Sequence, residues 1–349
     1  MGEWTDGRIE PQLPLLASGD APIRPSALPV LDQRLRGTQF VSLQPKSVLN
    51  APEQTGMDFW SLNPYVGCEF GCTYCYARYT HRYAVERSRA AGEWRPDAFE
   101  QRIFVKQGIQ NALENDLRRY FRHATGTGAS DTIVIGTATD PYQPGERRFA
   151  ITRAVLERLA RCEGLSIGLI TKSPLVSRDI DVFTAIQRRN DLEVYISLIT
   201  MDTALIRALE ARSPTPAVRL RALARLTGAG VNAGLIVAPV LPGITDSWAR
   251  LDAVFRAARA AGARFLTASP LRLYAGIRDR FLPVLDTHFP ELSERYRRAY
   301  AGRGAAPRRY AQALARRVRS LQRKHGFPTR DMQERYQRHE PRPQRELPL

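Results

Sequence analysis

The chain has 349 residues, 43% of them hydrophobic, enough for one large domain with extensions or for two domains. Its longest apolar stretches, such as residues 235–241, are far too short to cross a bilayer, and the first residues hold no apolar targeting core. A cytoplasmic protein with no membrane partner is therefore expected. The net charge of +17 is unevenly placed, because residues 295–349 hold 15 arginines and one lysine against four acids and so carry +12 of it.

In chain order, residues 1–57 are rich in Pro, Gly and Ser and read as an arm, partly irregular. The pattern then changes to short apolar runs alternating with amphipathic segments. Residues 62–66 form a short strand, a cysteine-rich loop follows, and residues 76–90 read as a helix. The segment 97–123 adds a strand at Ile103-Phe104-Val105 and a helix through Leu113, Leu117 and Tyr120. Residues 132–136 make the second buried strand, followed by a polar loop and a helix over 152–162. Strands at 165–170, 193–198, 231–237 and 264–267 are separated by helices at 176–189, 216–227 and 246–260. Six such strands alternating with helices predict an α/β fold with a parallel sheet, its strands buried on both faces. Right-handed crossovers curl that run into a barrel or an open doubly wound sheet. Residues 276–349 read as helical and basic, a solvated helical face in preference to a grip on phosphates.

The loop after the first strand holds three of the four cysteines, Cys68, Cys72 and Cys75, spaced C-x3-C-x2-C. Three thiolates this close can hold three irons of a [4Fe–4S] cube, and a fully ligated cube takes four, so one iron stays open. A structural zinc site wants four ligands. His81 is one candidate fourth, though its spacing matches no common finger. Cys162 lies in a helical run far along the chain and reads as a small buried hydrophobe. In a parallel α/β barrel reactive groups gather at the C-terminal ends of strands, which is where this loop falls.

The run from Tyr65 to Ala77, with Thr139-Asp140-Pro141-Tyr142 and Thr171-Lys172-Ser173 downstream, resembles the radical S-adenosylmethionine superfamily in its spore photoproduct lyase-like branch. The resemblance implies a partial (β/α)6 TIM-type barrel over residues 58–272, between the arm at 1–57 and a helical, arginine-rich extension at 273–349. It implies that Cys68, Cys72 and Cys75 hold a [4Fe–4S] cluster whose open iron takes the amino and carboxylate groups of S-adenosylmethionine. A reductant such as flavodoxin or ferredoxin is then a partner, and a 5′-deoxyadenosyl radical takes hydrogen from the substrate.

The same resemblance assigns the cofactor contacts. The superfamily often has Gly-Gly-Glu after the second strand. Here Thr139 and Asp140 stand in that place, with Glu146 as an alternative acid. Lys172 follows the third strand and suits the methionine carboxylate. Ser197 falls late in the fourth strand, and the backbone of Tyr74 and the strand at 233–239 flank the adenine. Tyr142, Arg272 and Tyr274 are candidates for handling the radical or positioning the substrate. The lyase carries a further reactive cysteine near the end of its second strand, where this chain has Thr137-Ala138-Thr139. The same repair route is therefore not expected, and the substrate is unidentified. Two other classes remain open: a nucleic-acid-binding protein with a structural metal, its basic tail gripping phosphates, and a redox sensor whose cluster is not catalytic.

Overall fold

The computed structural model describes residues 30–33, 37–78, 80–81, 84–85, 98–123, 131–302 and 304–329. Eleven strands lie among them: β1 (Val30–Gln33), β2 (Gln39–Leu43), β3 (Leu49–Asn50), β4 (Trp60–Leu62), β5 (Tyr65–Val66), β6 (Arg102–Lys106), β7 (Thr132–Ile135), β8 (Ser166–Thr171), β9 (Asp191–Ser197), β10 (Ala233–Val240) and β11 (Leu266–Pro270). The larger sheet runs β11-β10-β9-β8-β7-β4-β3. Its six strands β4 and β7 to β11 are all parallel, and β3 pairs antiparallel on β4 at one edge. Strands β3 and β11 are the two edges, so the sheet is open, as a partial barrel requires.

Alternation along each strand sorts the apolar residues into two layers. Ile133, Ile135, Ile167, Leu169, Val194, Ile196, Leu235, Val237 and Leu266 belong to the main core, together with the helix residues Leu156, Phe183, Leu223 and Phe255. The residues between them, Tyr195, Ile236 and Phe265, pack with Ile170 and Ala238 on the other face. Thr171 is in register with Ile196, so the next residues, Lys172 and Ser197, emerge side by side at the strand ends on that second face.

Two features differ from the sequence expectation. The segment at 62–66 is not one strand. Asn63 leaves the large sheet after β4, its amide nitrogen donating to Ser61 Oγ and Thr137 Oγ1 (both 3.0 Å) while its carbonyl accepts from the Ala138 backbone (2.7 Å). Pro64 follows, and β5 joins a second sheet of order β1-β2-β6-β5. The described part of the expected irregular arm also supplies strands: β2 runs parallel to β6, and β3 borders β4. Of the arm, residues 1–29 and 34–36 lie outside the described residues, as do 330–349 of the C-terminal extension. Of the expected helix at 76–90, Arg78, Thr80, His81, Ala84 and Val85 are helical, and residues 79, 82–83 and 86–90 lie outside. Beyond β11 the extension forms helices Ala275–His288, Pro290–Ala299 and Arg308–Lys324.

Candidate active site

The cysteine loop is held at both ends by backbone. Gly67 adopts φ +94°, and a Cβ there would meet the Phe99 carbonyl at 2.8 Å, so glycine is required. Cys68 N–H donates to that same carbonyl at 3.0 Å. Further on, Thr73 N–H donates to Leu209 O (2.9 Å), Arg212 N–H donates to Phe70 O (3.1 Å), and Cys72 forms an isolated antiparallel bridge with Glu210. The loop is thus strapped to a segment 136 residues further along the chain. All three thiols are free. Cys68 and Cys72 are buried and Cys75 is half-buried. Burial, then the charges of Asp140 and Cys72, push the Cys68 thiol well above its ordinary range. Burial lifts Cys72 to about 12, with Lys172 acting against it.

Behind the loop lies a buried carboxylate, Glu210, that gathers four partners. It accepts the phenolic hydrogen of Tyr74, pairs with the guanidinium of Arg219, and accepts from Ser213 Oγ at 2.8 Å. Lys172 Nζ stands 4.0 Å from it and 6.0 Å from the centre of the Tyr74 ring. Arg219 is fully buried and donates also to Ser197 O (2.8 Å), Pro214 O (2.9 Å) and Ser213 Oγ (2.6 Å). Burial by itself raises the Glu210 carboxyl, but Arg219 and Lys172 outweigh it and hold it at about 2. Burial by itself lowers Lys172, yet Cys72 and Glu210 keep its ammonium above the ordinary lysine range. One chain of contacts therefore joins the cysteine loop, the end of β8 and the end of β9.

The loop after β7 braces the same region. Gly67 O accepts from Thr139 Oγ1 (2.6 Å) and from Gln143 Nε2 (3.2 Å), and Gln143 Oε1 accepts from Glu69 N–H (3.0 Å). Asp140 spends its carboxylate on Thr171 Oγ1 (2.6 Å), Lys172 N–H (2.8 Å) and Tyr142 N–H (2.9 Å). It ties the ends of β7 and β8 together and aims Lys172. Burial, partly offset by these donors, raises its carboxyl above the usual aspartate value.

The remaining sequence candidates have contacts of their own. Glu146 is fully buried, paired with Arg178 and bonded to Tyr65 and to the Thr152 N–H. Tyr142 is fully buried and donates to Asp179 at 2.9 Å, which takes it away from the strand-end mouth. Arg272 bridges Ala305, and Tyr274 is half exposed, its ring packed over Gly304. His81 has its Nε2 on Arg102 O (2.8 Å) and its ring between Phe99 and Phe104, so it does not complete a Cys3His zinc set. Cys162 is buried beneath Arg158, whose Nη1 donates to its sulfur at 3.2 Å.

The residues that sequence reasoning missed are Glu210, Arg219 and Gln143, with Arg78 and Glu100 beside the loop. No spacing or motif marks them.

The profile described as the Radical SAM superfamily matches residues 62–253. An uncharacterized protein of Mycobacterium tuberculosis is 33% identical over 288 residues, covering 82% of this chain and 80% of its own. An uncharacterized protein of Methanocaldococcus jannaschii is 26% identical over 208 residues, 60% of this chain and 70% of its own. Among solved structures, a spore photoproduct lyase superposes with a TM-score of 0.61 at 15% identity, covering 84% of this chain and 81% of that one. Another spore photoproduct lyase variant, with bound AdoMet and dinucleoside spore photoproduct, gives 0.57 at 16% identity, covering 78% and 75%. These two show the same fold.

Proposed function

The chain belongs to the radical SAM superfamily and is an enzyme of that type, and from that premise we propose that Cys68, Cys72 and Cys75 hold a [4Fe–4S] cluster with one iron open to S-adenosylmethionine. The donor set fits. Three thiols share one loop, with no disulfide among them and with their fourth counterpart, Cys162, spent in a distant helix contact. Burial and neighbouring charges hold the Cys68 and Cys72 thiols above their ordinary range, and a thiol that coordinates a cation gives up its proton outright. When bound, the cluster and S-adenosylmethionine supply one-electron cleavage of the sulfonium and a 5′-deoxyadenosyl radical for hydrogen abstraction.

The chain's own residues position and insulate that chemistry. Lys172, held by Asp140 on its backbone and by Glu210 across from its ammonium, offers a cation to the methionine carboxylate. Tyr74, pinned through its hydroxyl, presents backbone beside the adenine. Ser197 lines the neighbouring strand end, its carbonyl fixed by Arg219. Thr139 and Asp140 act as braces for the cysteine loop and for Lys172. The observation that carries this reading is the convergence of Tyr74, from inside the three-cysteine loop, and Lys172, from a strand end, on one buried carboxylate. Anaerobic reconstitution tests it: about four irons and four sulfides per chain are expected, with reductant-dependent release of 5′-deoxyadenosine. A stable tetrahedral zinc in anaerobically purified protein would overturn it.

A second reading concerns the substrate. Helix Arg308–Lys324 exposes Arg308, Arg309, Arg316, Arg319, Arg323 and Lys324, and a lyase of the same fold binds a dinucleoside photoproduct. These support a nucleic-acid substrate. Binding of DNA or RNA that weakens steeply with salt, and that survives replacement of the cysteines, would favour it. No binding at low salt would dismiss it.

A further inference from the structure

The arginines of helix Arg308–Lys324 are arranged along one line. Arg309, Arg316, Arg319 and Arg323 fall within a stripe about 80° wide on the helix, and two turns, about 10.5 Å, separate Arg309 from Arg316 and Arg316 from Arg323. All four are exposed, the helix contains no acidic residue, and none of the four is ion-paired among the described residues. The helix carries one aromatic of its own, Tyr310, which is half-buried. The fold brings a better-exposed ring from elsewhere. Beyond β11 the chain alternates, with Leu271 and Leu273 buried and Arg272 and Tyr274 exposed. Arg272 forms an antiparallel bridge with Ala305, and Leu273 N–H donates to Gly304 O (2.6 Å), so this segment lies against the residues that lead into the arginine helix. A Cβ at Gly304 would overlap the Tyr274 ring, so glycine lets that ring lie on bare backbone. Tyr274 is 50% exposed, more than any other large hydrophobic side chain among the described residues. Pro270 ends β11 at the same edge of the sheet where Lys172 and Ser197 emerge, which puts the ring at the rim of the strand-end mouth.

We propose that Tyr274 is a stacking platform for an unpaired base of a single-stranded nucleic acid, with Arg272 beside it and the stripe Arg309, Arg316, Arg319 and Arg323 tracking the phosphates. The proposal rests on the reading of nucleic acid as the substrate and adds its form: a single strand led along the helix to the rim of the mouth. Exposed cations without counter-charges draw phosphates of any sequence and release their counterions. Such contacts position a strand but read no base. The ring supplies what the arginines lack, because every base has a face to stack and an aromatic side chain backed by rigid structure meets it without preference for sequence. A base inside a duplex has both faces taken by its neighbours, so the platform favours a strand whose bases are free. An acidic protein would use the arginines alike and would gain nothing specific from the open ring.

The test uses the full-length chain, purified anaerobically, in anisotropy titrations with labelled oligonucleotides about twelve nucleotides long. The probes are oligo-dT, oligo-rU, an abasic strand of equal charge, and a DNA duplex. At low salt the wild type should bind a base-bearing single strand more tightly than the duplex or the abasic strand, and the tighter of dT and rU identifies DNA or RNA. Tyr274→Ala should weaken binding of that strand by about fivefold or more, leaving the abasic strand and the salt dependence unchanged. Tyr274→Phe keeps the ring and should bind as wild type. Arg316→Ala/Arg319→Ala should weaken base-bearing and abasic strands together and lower the slope of log affinity against log salt by about 1.4, the share of two phosphates. Wild-type affinity in Tyr274→Ala would overturn the proposal. So would equal weakening on the abasic strand, which would make the ring a packing element, or wild-type binding of duplex or abasic strand as tight as that of the base-bearing strand, which marks a general polyanion surface. If the wild type binds no oligonucleotide at low salt, the nucleic-acid reading itself fails, and that is seen before any variant is made.

Discussion

Tyr74 lies between Cys72 and Cys75 in sequence, and its hydroxyl donates to the carboxylate of Glu210, which also faces the Lys172 ammonium at 4.0 Å. The two contacts make Glu210 the joint between the cysteine loop and the end of β8 that carries Lys172. Most of the expectations that follow turn on this joint.

Replacing Cys68, Cys72 or Cys75 by Ala should abolish the cluster, since each is one of only three thiol ligands. Cys162→Ala should retain it, because that sulfur is occupied by Arg158. Iron and sulfide content of the four reconstituted variants checks both statements.

Lys172→Ala should weaken S-adenosylmethionine binding by roughly tenfold or more, the equivalent of about 1.5–3 kcal/mol for a charged hydrogen-bond partner. The cluster spectrum should stay intact, because Glu210 keeps Arg219, Ser213 and Tyr74. Asp140→Ala should weaken binding too, by releasing the backbone of Lys172. Calorimetric titration of the reconstituted variants measures it, and unchanged affinity in both would mean the cofactor sits elsewhere.

Glu210→Ala leaves a fully buried arginine without its counter-charge. Breaking a buried ion pair from one side costs about 3–5 kcal/mol, so urea unfolding of the metal-free protein should show a loss of that order. Glu210→Gln keeps the shape and should lose less. A loss below about 1 kcal/mol, the level of an exposed surface pair, would show that water reaches Arg219.

The same carboxylate sets an acid limit. Its folded value, about 2, lies below the ordinary 4.5, so the stability it contributes is fully present above pH 4.5. That contribution disappears as the pH falls from 4.5 toward 2. Over that interval the wild type should lose unfolding free energy faster than Glu210→Gln, and the two curves should draw together. Parallel curves would remove Glu210 from the pH response.

The parallel strands were legible because each is a short run of buried β-formers between amphipathic helices, and the cysteine loop stood out because three cysteines in eight residues have few uses. Lys172 and Ser197 were placed by strand register, which a periodic sequence does reveal. Glu210 and Arg219 were not, since their meaning comes from contacts with Tyr74, Ser197 and Lys172 that no local pattern records. Asp140 was legible as a polar group at a strand end, but not that its oxygens would be consumed by the neighbouring strand. The break at Asn63–Pro64 was hidden in the same way. The proline hinted at it, but the amide's partners lie across the sheet at Thr137 and Ala138. The pairing of β2 with β6 joins segments about sixty residues apart, beyond the reach of any short-range pattern.

The strap between the cysteine loop and residues 209–212 also orders events during synthesis. A growing chain exposes all three cysteines long before Leu209, Glu210 and Arg212 leave the ribosome, 136 residues separating Thr73 from the carbonyl that fixes it. Until then the loop lacks its partner backbone and Tyr74 lacks its anchor. A fragment ending before residue 209 would carry all three cysteines and still lack the backbone that straps their loop.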